Sequence, residues 1–169
     1  MTESVETARL RLVPRTVEAM DDLCAREPDP ELRQAYRQMA DTMRQQPALQ
    51  TWAAAWRIDL RGETIGGIGF KGAPDVFGRV EIGYGIDAPH RGKGYATEAV
   101  NGLVGWAFAQ ERVRCVTAQA EPDNAASLRV LCKAGFSRAG SSEEGLLFRI
   151  VRPSDVSARQ ATGPAPSET

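Results

Sequence analysis

Hydrophobic and polar positions change their period several times along this chain, and each change marks an element. Near the start, Leu10 and Leu12 alternate with Arg9 and Arg11, the two-residue period of a short, half-buried strand. Residues 17–26 read as a helix. A clearer helix follows: Asp29 can cap it, Pro30 suits its first turn, and Leu32, Tyr36, Met39 and Met43 form one apolar stripe. The period returns to two at Trp52, Ala54, Trp56, Ile58 and Leu60, set against Arg57 and Asp59, so a strand is expected there. Arg61-Gly62-Glu63 turns the chain into a second strand over 64–70. Beyond a loop around Pro74, Val80, Ile82, Tyr84 and Ile86 alternate with Glu81, Gly83 and Gly85. Pro89 bars that third strand from continuing.

After Gly94 the period lengthens. Ala96, Ala99, Val100, Leu103, Val104 and Ala107 recur every three or four residues, the broad buried face of a helix. Residues 113–120 are rich in strand formers. Glu121-Pro122-Asp123-Asn124 can cap a helix that runs to Ala134 and ends at Gly135. A final pair of strands, from Phe136 onward and over 146–151, turns near Gly145. The order predicts a mixed α/β (α+β) domain over 1–152, built on one mostly antiparallel sheet with about four helices. Residues 153–169 carry no apolar periodicity and read as a disordered polar tail.

Composition narrows the chemistry. Of 169 residues, 42% are hydrophobic and 25% charged, as in ordinary globular domains, and the net charge is −1. That balance gives no broad pull toward nucleic acid or an anionic membrane, so any anion must be bound locally. No apolar run approaches the ~20 residues of a membrane span, and the first residues lack a signal core, so the cytoplasm is expected. Cys115 and Cys132 lie in apolar runs and read, with Cys24, as unpaired thiols of a reducing compartment, the first two buried. His90 is the sole histidine, which excludes a His-rich zinc site; no metal is expected.

One stretch stands apart. In His90-Arg91-Gly92-Lys93-Gly94-Tyr95-Ala96-Thr97, two glycines and two cations precede a helix. The first N–H groups of a helix lack partners and carry partial positive charge. Glycines let the backbone take positive φ and approach a ligand closely, so the segment can cradle a pyrophosphate. It is no Walker loop, because Gly94 rather than Ser or Thr follows Lys93. It is no dinucleotide fingerprint, because Thr97 stands where the third glycine belongs.

Arg91-Gly92-Lys93-Gly94-Tyr95-Ala96 does resemble the Arg/Gln-x-x-Gly-x-Gly/Ala motif of the GCN5-related N-acetyltransferases (GNAT). Asn124-Ala125-Ala126-Ser127 and Lys133-Ala134-Gly135-Phe136 look like that family's Asn-x-x-Ser and Lys-x-Gly-Phe elements. The start of the chain and Glu81-Ile82-Gly83-Tyr84-Gly85-Ile86 point to the branch of the ribosomal-protein N-terminal acetyltransferases. The resemblance covers roughly residues 7–151. It implies a sheet splayed open after its fourth strand, with acetyl-CoA in the split. Backbone amides of Arg91, Gly92, Lys93, Gly94, Tyr95 and Ala96, with the Thr97 hydroxyl, would hold the pyrophosphate. Ile86 would pair its backbone with the pantetheine arm, and Asn124 would bond that arm or the thioester region. Arg129 is a candidate for the 3′-phosphate; His90 could line the loop.

The implied chemistry is direct attack of a primary amine on the thioester in a ternary complex, which needs a base for the amine and a proton for the leaving thiolate. Glu81, on the strand face it shares with Gly83 and Gly85, is the candidate base. Many family members place a tyrosine acid in the helix before Gly-Phe; Leu131 stands there instead, so Ser127 becomes the proton donor or thiolate partner. The acceptor amine could belong to a protein N-terminus or a small molecule, and the enzyme could be a monomer or homodimer. Two other readings compete: an acyl-CoA-binding module without chemistry, and a non-CoA anion binder. The aromatic pair Trp52 and Trp56 reads as core rather than substrate box.

Overall fold

The strands marked by alternation join into one sheet. In this computed structural model, residues 3–153 are described. The strands are β1 (Val5–Glu6), β2 (Arg11–Pro14), β3 (Ala55–Leu60), β4 (Glu63–Phe70), β5 (Arg79–Ile86), β6 (Cys115–Ala120), β7 (Ser137–Ser142) and β8 (Gly145–Val151). Their order across the sheet is β1-β2-β3-β4-β5-β6-β8-β7. All neighbours are antiparallel except β5 and β6, which run parallel because helix α4 (Tyr95–Phe108) carries the chain back between them. That parallel pairing lasts only from Arg79↔Cys115 to Ile82↔Ala118. Gly83 to Ile86 then stay with β4 while Gln119 and Ala120 stay with β8, and the sheet opens. If the two-residue β1 is left aside, the split follows the fourth strand, as the resemblance implied.

Helices α1 (Val17–Arg26) and α2 (Pro30–Gln45) form a hairpin, with Thr16 and Asp29 accepting from first-turn N–H groups as caps. A four-residue helix, α3 (Gln50–Ala53), leads into β3, and α5 (Ala125–Lys133) follows β6. On one sheet face, Val80, Ile82 and Ile86 pack with Ala99, Val100, Leu103 and Ala107 of α4 into the main core. The α1–α2 hairpin sits on a separate small core of Met20, Ala40, Met43 and Ala54. Leu32, at the far end of the stripe, stays 39% exposed and overlooks an open cleft.

Two expectations need correction. The strand expected to include Trp52 and Ala54 begins at Ala55, because Trp52 belongs to α3, where the backbone N–H of Ala54 closes onto the Gln50 carbonyl. Both tryptophans nonetheless join the core: Trp52 packs against Phe70 at 4.7 Å between ring centroids and Trp56 against Trp106 at 5.3 Å. Trp56 has no exposed surface and cannot meet a substrate. Cys132, expected to be buried, is exposed, and Cys24 and Cys115 are half-buried. Position 132 falls outside the stripe by which α5 buries Leu131. The expected tail, apart from its first residue, lies outside the described residues.

Candidate active site

The glycine loop has the shape its sequence demands. Gly92 (φ 78°) and Gly94 (φ 82°) both adopt left-handed backbone, which only glycine takes cheaply. Gly94 is the N-cap of α4 and has no capping side chain, so the first-turn N–H groups remain available. Nothing lies within 4 Å of the place a Cβ on Gly92 would occupy. The fit to a pyrophosphate thus rests on open space, free donors and the helix dipole together.

A clamp from the N-terminal segment holds the outer side of the loop. Arg9 Nη1 donates to the Lys93 carbonyl (3.0 Å) and Arg9 Nε to Glu98 Oε1 (2.7 Å); its guanidinium also lies 4.5 Å over the Tyr95 ring. Thr7 Oγ1 and the Arg9 backbone N–H both donate to Glu98 Oε2. Burial alone would raise the Glu98 pKa, but the bonds from Thr7 and Arg9 outweigh it and hold the carboxyl below its ordinary value. The sign follows by linkage: the clamp's stabilisation is complete above the unfolded value of about 4.3 and fades as pH falls through the lower folded value. Glu98→Gln should therefore flatten the loss of thermal stability as pH falls below about 5, measured by melting from neutral pH down to about pH 3, and leave the slope above about pH 5 unchanged. An unchanged slope in the acid range would contradict the clamp.

The split forms a groove beside this loop. A cavity of about 690 Å³ is lined by Tyr84, Gly85, Ile86, the loop residues Arg91, Gly92 and Gly94 to Thr97, and Asn124, Ser127, Arg129 and Lys133 from the opposite wall. The Lys71 N–H bonds the Glu81 carbonyl and the Asp87 N–H bonds the Ile65 carbonyl, so odd-numbered β5 residues spend their backbone groups on β4. Alternation then turns the groups of Tyr84 and Ile86 toward the opening. The Ile86 carbonyl takes Arg91 Nε (2.7 Å), which leaves its N–H facing the groove. Asn124 caps α5 by accepting from the Ser127 N–H (3.1 Å), so the N–H side of its amide is left for a ligand.

Tyr84, by alternation an ordinary strand residue, brings a second hydroxyl to Ser127. Its Oη lies 2.8 Å from Ser127 Oγ, across the opening. Leu131, at the usual tyrosine position, is fully buried. Burial pushes the Tyr84 pKa up, and the Ser127 bond offsets this only in part, so the phenol stays protonated at neutral pH.

A smaller passage of about 280 Å³ continues from the groove. It shares Tyr84, Asn124 and Ser127 with it and is closed by Lys71, Gln119, Glu121 and Glu144. It shares Lys71, Gly83 and Tyr84 with a third cavity of about 800 Å³ beneath the α1–α2 hairpin. The register explains that space: Gly67 opposes Gly85 and Gly69 opposes Gly83, so four positions on this sheet face carry no side chain. The walls are Leu23, Leu32, Tyr36 and Met39 from the helices.

Glu81 is not brought to the lining of any of these cavities. One step beyond the glycines, its Oε2 forms an ion pair with Lys71 Nζ (2.6 Å) and its Oε1 accepts from Gln119 Nε2 (3.2 Å). His90 does line the groove, 3.9 Å from Glu63. None of the three cysteines lines any of these three cavities, and Cys24 donates to the Arg33 carbonyl at 3.4 Å. Single Cys→Ala variants should therefore keep turnover within about three-fold, allowing for packing loss. An acetylated cysteine in the mass spectrum of the intact protein would contradict this.

A split sheet, an uncapped glycine-loop helix and a hydroxyl pair facing a thioester-sized passage agree with the similarity of the chain to known proteins. Residues 9–137 match the family described as "Acetyltransferase (GNAT) domain". The chain is 31% identical over 150 residues to the uncharacterized N-acetyltransferase p20 of Bacillus licheniformis, covering 82% of this chain and 84% of that one. It is 46% identical over 74 residues to the uncharacterized N-acetyltransferase YjdG of Bacillus subtilis, a match spanning 44% of each. The fold superposes on an acetyltransferase from Agrobacterium tumefaciens with a TM-score of 0.67 (25% identity, 89% and 95% covered). It superposes on the apo RimL ribosomal L7/L12 alpha-N-protein acetyltransferase with a TM-score of 0.72 (16% identity, 90% and 96% covered). The chain belongs to the GNAT family of N-acetyltransferases, enzymes that take their acetyl group from acetyl-CoA.

Proposed function

We propose that the donor occupies the split and the acceptor amine reaches it from the glycine-floored cavity, the two meeting in the passage between Lys71, Tyr84, Asn124 and Ser127. The observation that carries this reading is that the three spaces adjoin, each sharing wall residues with the next. Bound acetyl-CoA supplies the thioester and departs as the thiol. Backbone amides of residues 91–96 and the Thr97 hydroxyl hold the pyrophosphate, aided by Arg91 and Lys93. Arg129 and Lys133, which line the facing wall, take the 3′-phosphate. The Ile86 N–H and the Asn124 amide fix the pantetheine arm.

Ser127 gives its proton to the leaving sulfur and is recharged by the Tyr84 hydroxyl at 2.8 Å. A serine alone is a poor acid; the protonated phenol behind it supplies the proton the serine lacks. Glu81 receives the amine's proton through water. Its pair with Lys71, whose side chain is 55% exposed, is worth about 1 kcal/mol or less, so Lys71 can turn aside as the amine arrives. Cys24, Cys115 and Cys132 held as thiols rather than disulfides, together with dependence on acetyl-CoA, suit the cytoplasm.

Thiol release from acetyl-CoA, followed with peptide and small-molecule amines, tests the reading. Amine-dependent release with matching acetylated product is expected. Tight binding of acetyl-CoA with no release for any amine would instead favour a module that only binds.

A further inference from the structure

The cavity beneath the α1–α2 hairpin is charged in a way that selects its occupant. We infer that Arg15 is the acceptor's specificity anchor, binding a carboxylate held two or three residues from the reacting amine. This rests on the proposed entry of the amine over the glycine floor.

Arg15 continues the β2 ladder, its backbone N–H donating to the Ala55 carbonyl, and its half-buried side chain lines the cavity. Its guanidinium makes one side-chain bond, Nη1 to that same carbonyl at 3.3 Å. No carboxylate pairs with it among the described residues. Asp59, the nearby candidate, is taken by Arg57 (3.1 Å) and by the Thr64 hydroxyl (2.8 Å). Burial, and then the like charge of Arg57, lower the Arg15 pKa, so an arriving anion would relieve a cation the fold leaves unmatched. A guanidinium has a fork of donors that fits a carboxylate in two-point contact.

Register gives the distance. On this face Arg15, Ala55, Gly69 and Gly83 follow one another across β2, β3, β4 and β5. Three strand spacings of about 4.8 Å put the passage about 14 Å from the Arg15 backbone. The arginine side chain spans part of that, leaving room for two or three extended residues at about 3.4 Å each. A free amino acid is too short. The bare floor admits a flat peptide backbone, and Tyr36 and Met39 offer an apolar wall for a side chain. Of the other cations of the lining, Lys71 is already paired with Glu81 and Arg91 shares the wall with Asp87, so Arg15 is the cation left to select an anionic group and to disfavour a polycationic amine beside it. Two sources carry the same chemistry: an acidic side chain near a protein N-terminus, or the C-terminal carboxylate of a short free peptide.

The test compares amidated pentapeptides identical except for Glu, Gln or Lys at the third position, an unamidated tripeptide, and spermidine. Acetyl-CoA affinity is measured separately by calorimetry, so a failure of the donor site is told apart from a wrong acceptor. For the wild type, kcat/KM should be about 10- to 100-fold higher with Glu than with Lys, and spermidine should be poorest. Arg15→Gln should raise KM for the Glu peptide by a similar factor, leave kcat and acetyl-CoA affinity nearly unchanged, and abolish the Glu-over-Gln preference. Arg15→Lys should restore part of it, which separates charge from folding. A preference for the amidated Glu peptide over the free tripeptide identifies the protein N-terminus, and the reverse identifies the short peptide. Equal use of Glu, Gln and Lys peptides, preference for spermidine, or acetylation of none of them while acetyl-CoA binds would overturn the proposal.

Discussion

Gly94→Val should abolish acetyl-CoA binding, taking a dissociation constant of about micromolar beyond the range of calorimetric titration. Gly94 sits at φ 82°, where a β-branched residue is strained by about 1–2 kcal/mol or more. Its new Cβ would also meet the Arg9 guanidinium at 3.3 Å, the group that braces the Lys93 carbonyl. Either relaxation turns the first N–H groups of α4 away from the pyrophosphate. Gly92→Ala serves as companion because no protein atom lies within 4 Å of its Cβ position, so its binding loss reports on backbone conformation and ligand approach alone. Retained affinity in both variants would mean the loop does not hold the donor.

Glu81→Gln should lower kcat by about 10²-fold, the lower end for a general base, with acetyl-CoA affinity nearly intact. The carboxylate lies on the β5 face it shares with Gly83 and Gly85, outside the donor groove, so the donor loses no contact when it is changed. Glutamine keeps the shape and can still meet Gln119, but it cannot take a proton. Loss of donor affinity together with turnover would assign Glu81 a structural role through Lys71 and Gln119. Unchanged turnover would assign the proton to water alone.

Most of the fold was legible because periodicity and caps agreed along the chain. Asp29 and Asn124 cap where the sequence placed them, and the apolar face of α4 is buried at Ala99, Val100, Leu103, Val104 and Ala107. Trp52 misled because a turn of helix happened to continue the alternation of β3. The lining of the proposed donor groove was legible since it is written in motif residues. The proposed acceptor cavity was not, because its floor is made of absent side chains: only the register of β4 on β5 reveals that Gly67, Gly69, Gly83 and Gly85 lie together. Tyr84 was hidden for a related reason. Alternation gives the face of a strand residue but not that its hydroxyl reaches Ser127, 43 residues on. Arg9 and Arg15 carry no motif, and their roles depend on Glu98 and Ala55, distant in sequence.

The central claim is that donor and acceptor occupy adjoining spaces at once and that the acetyl group passes directly between them. Initial rates measured over a grid of acetyl-CoA and acceptor concentrations test it most directly. The account predicts double-reciprocal lines that intersect, the pattern of a ternary complex. Parallel lines, the mark of an acetylated enzyme formed before the amine binds, would contradict it.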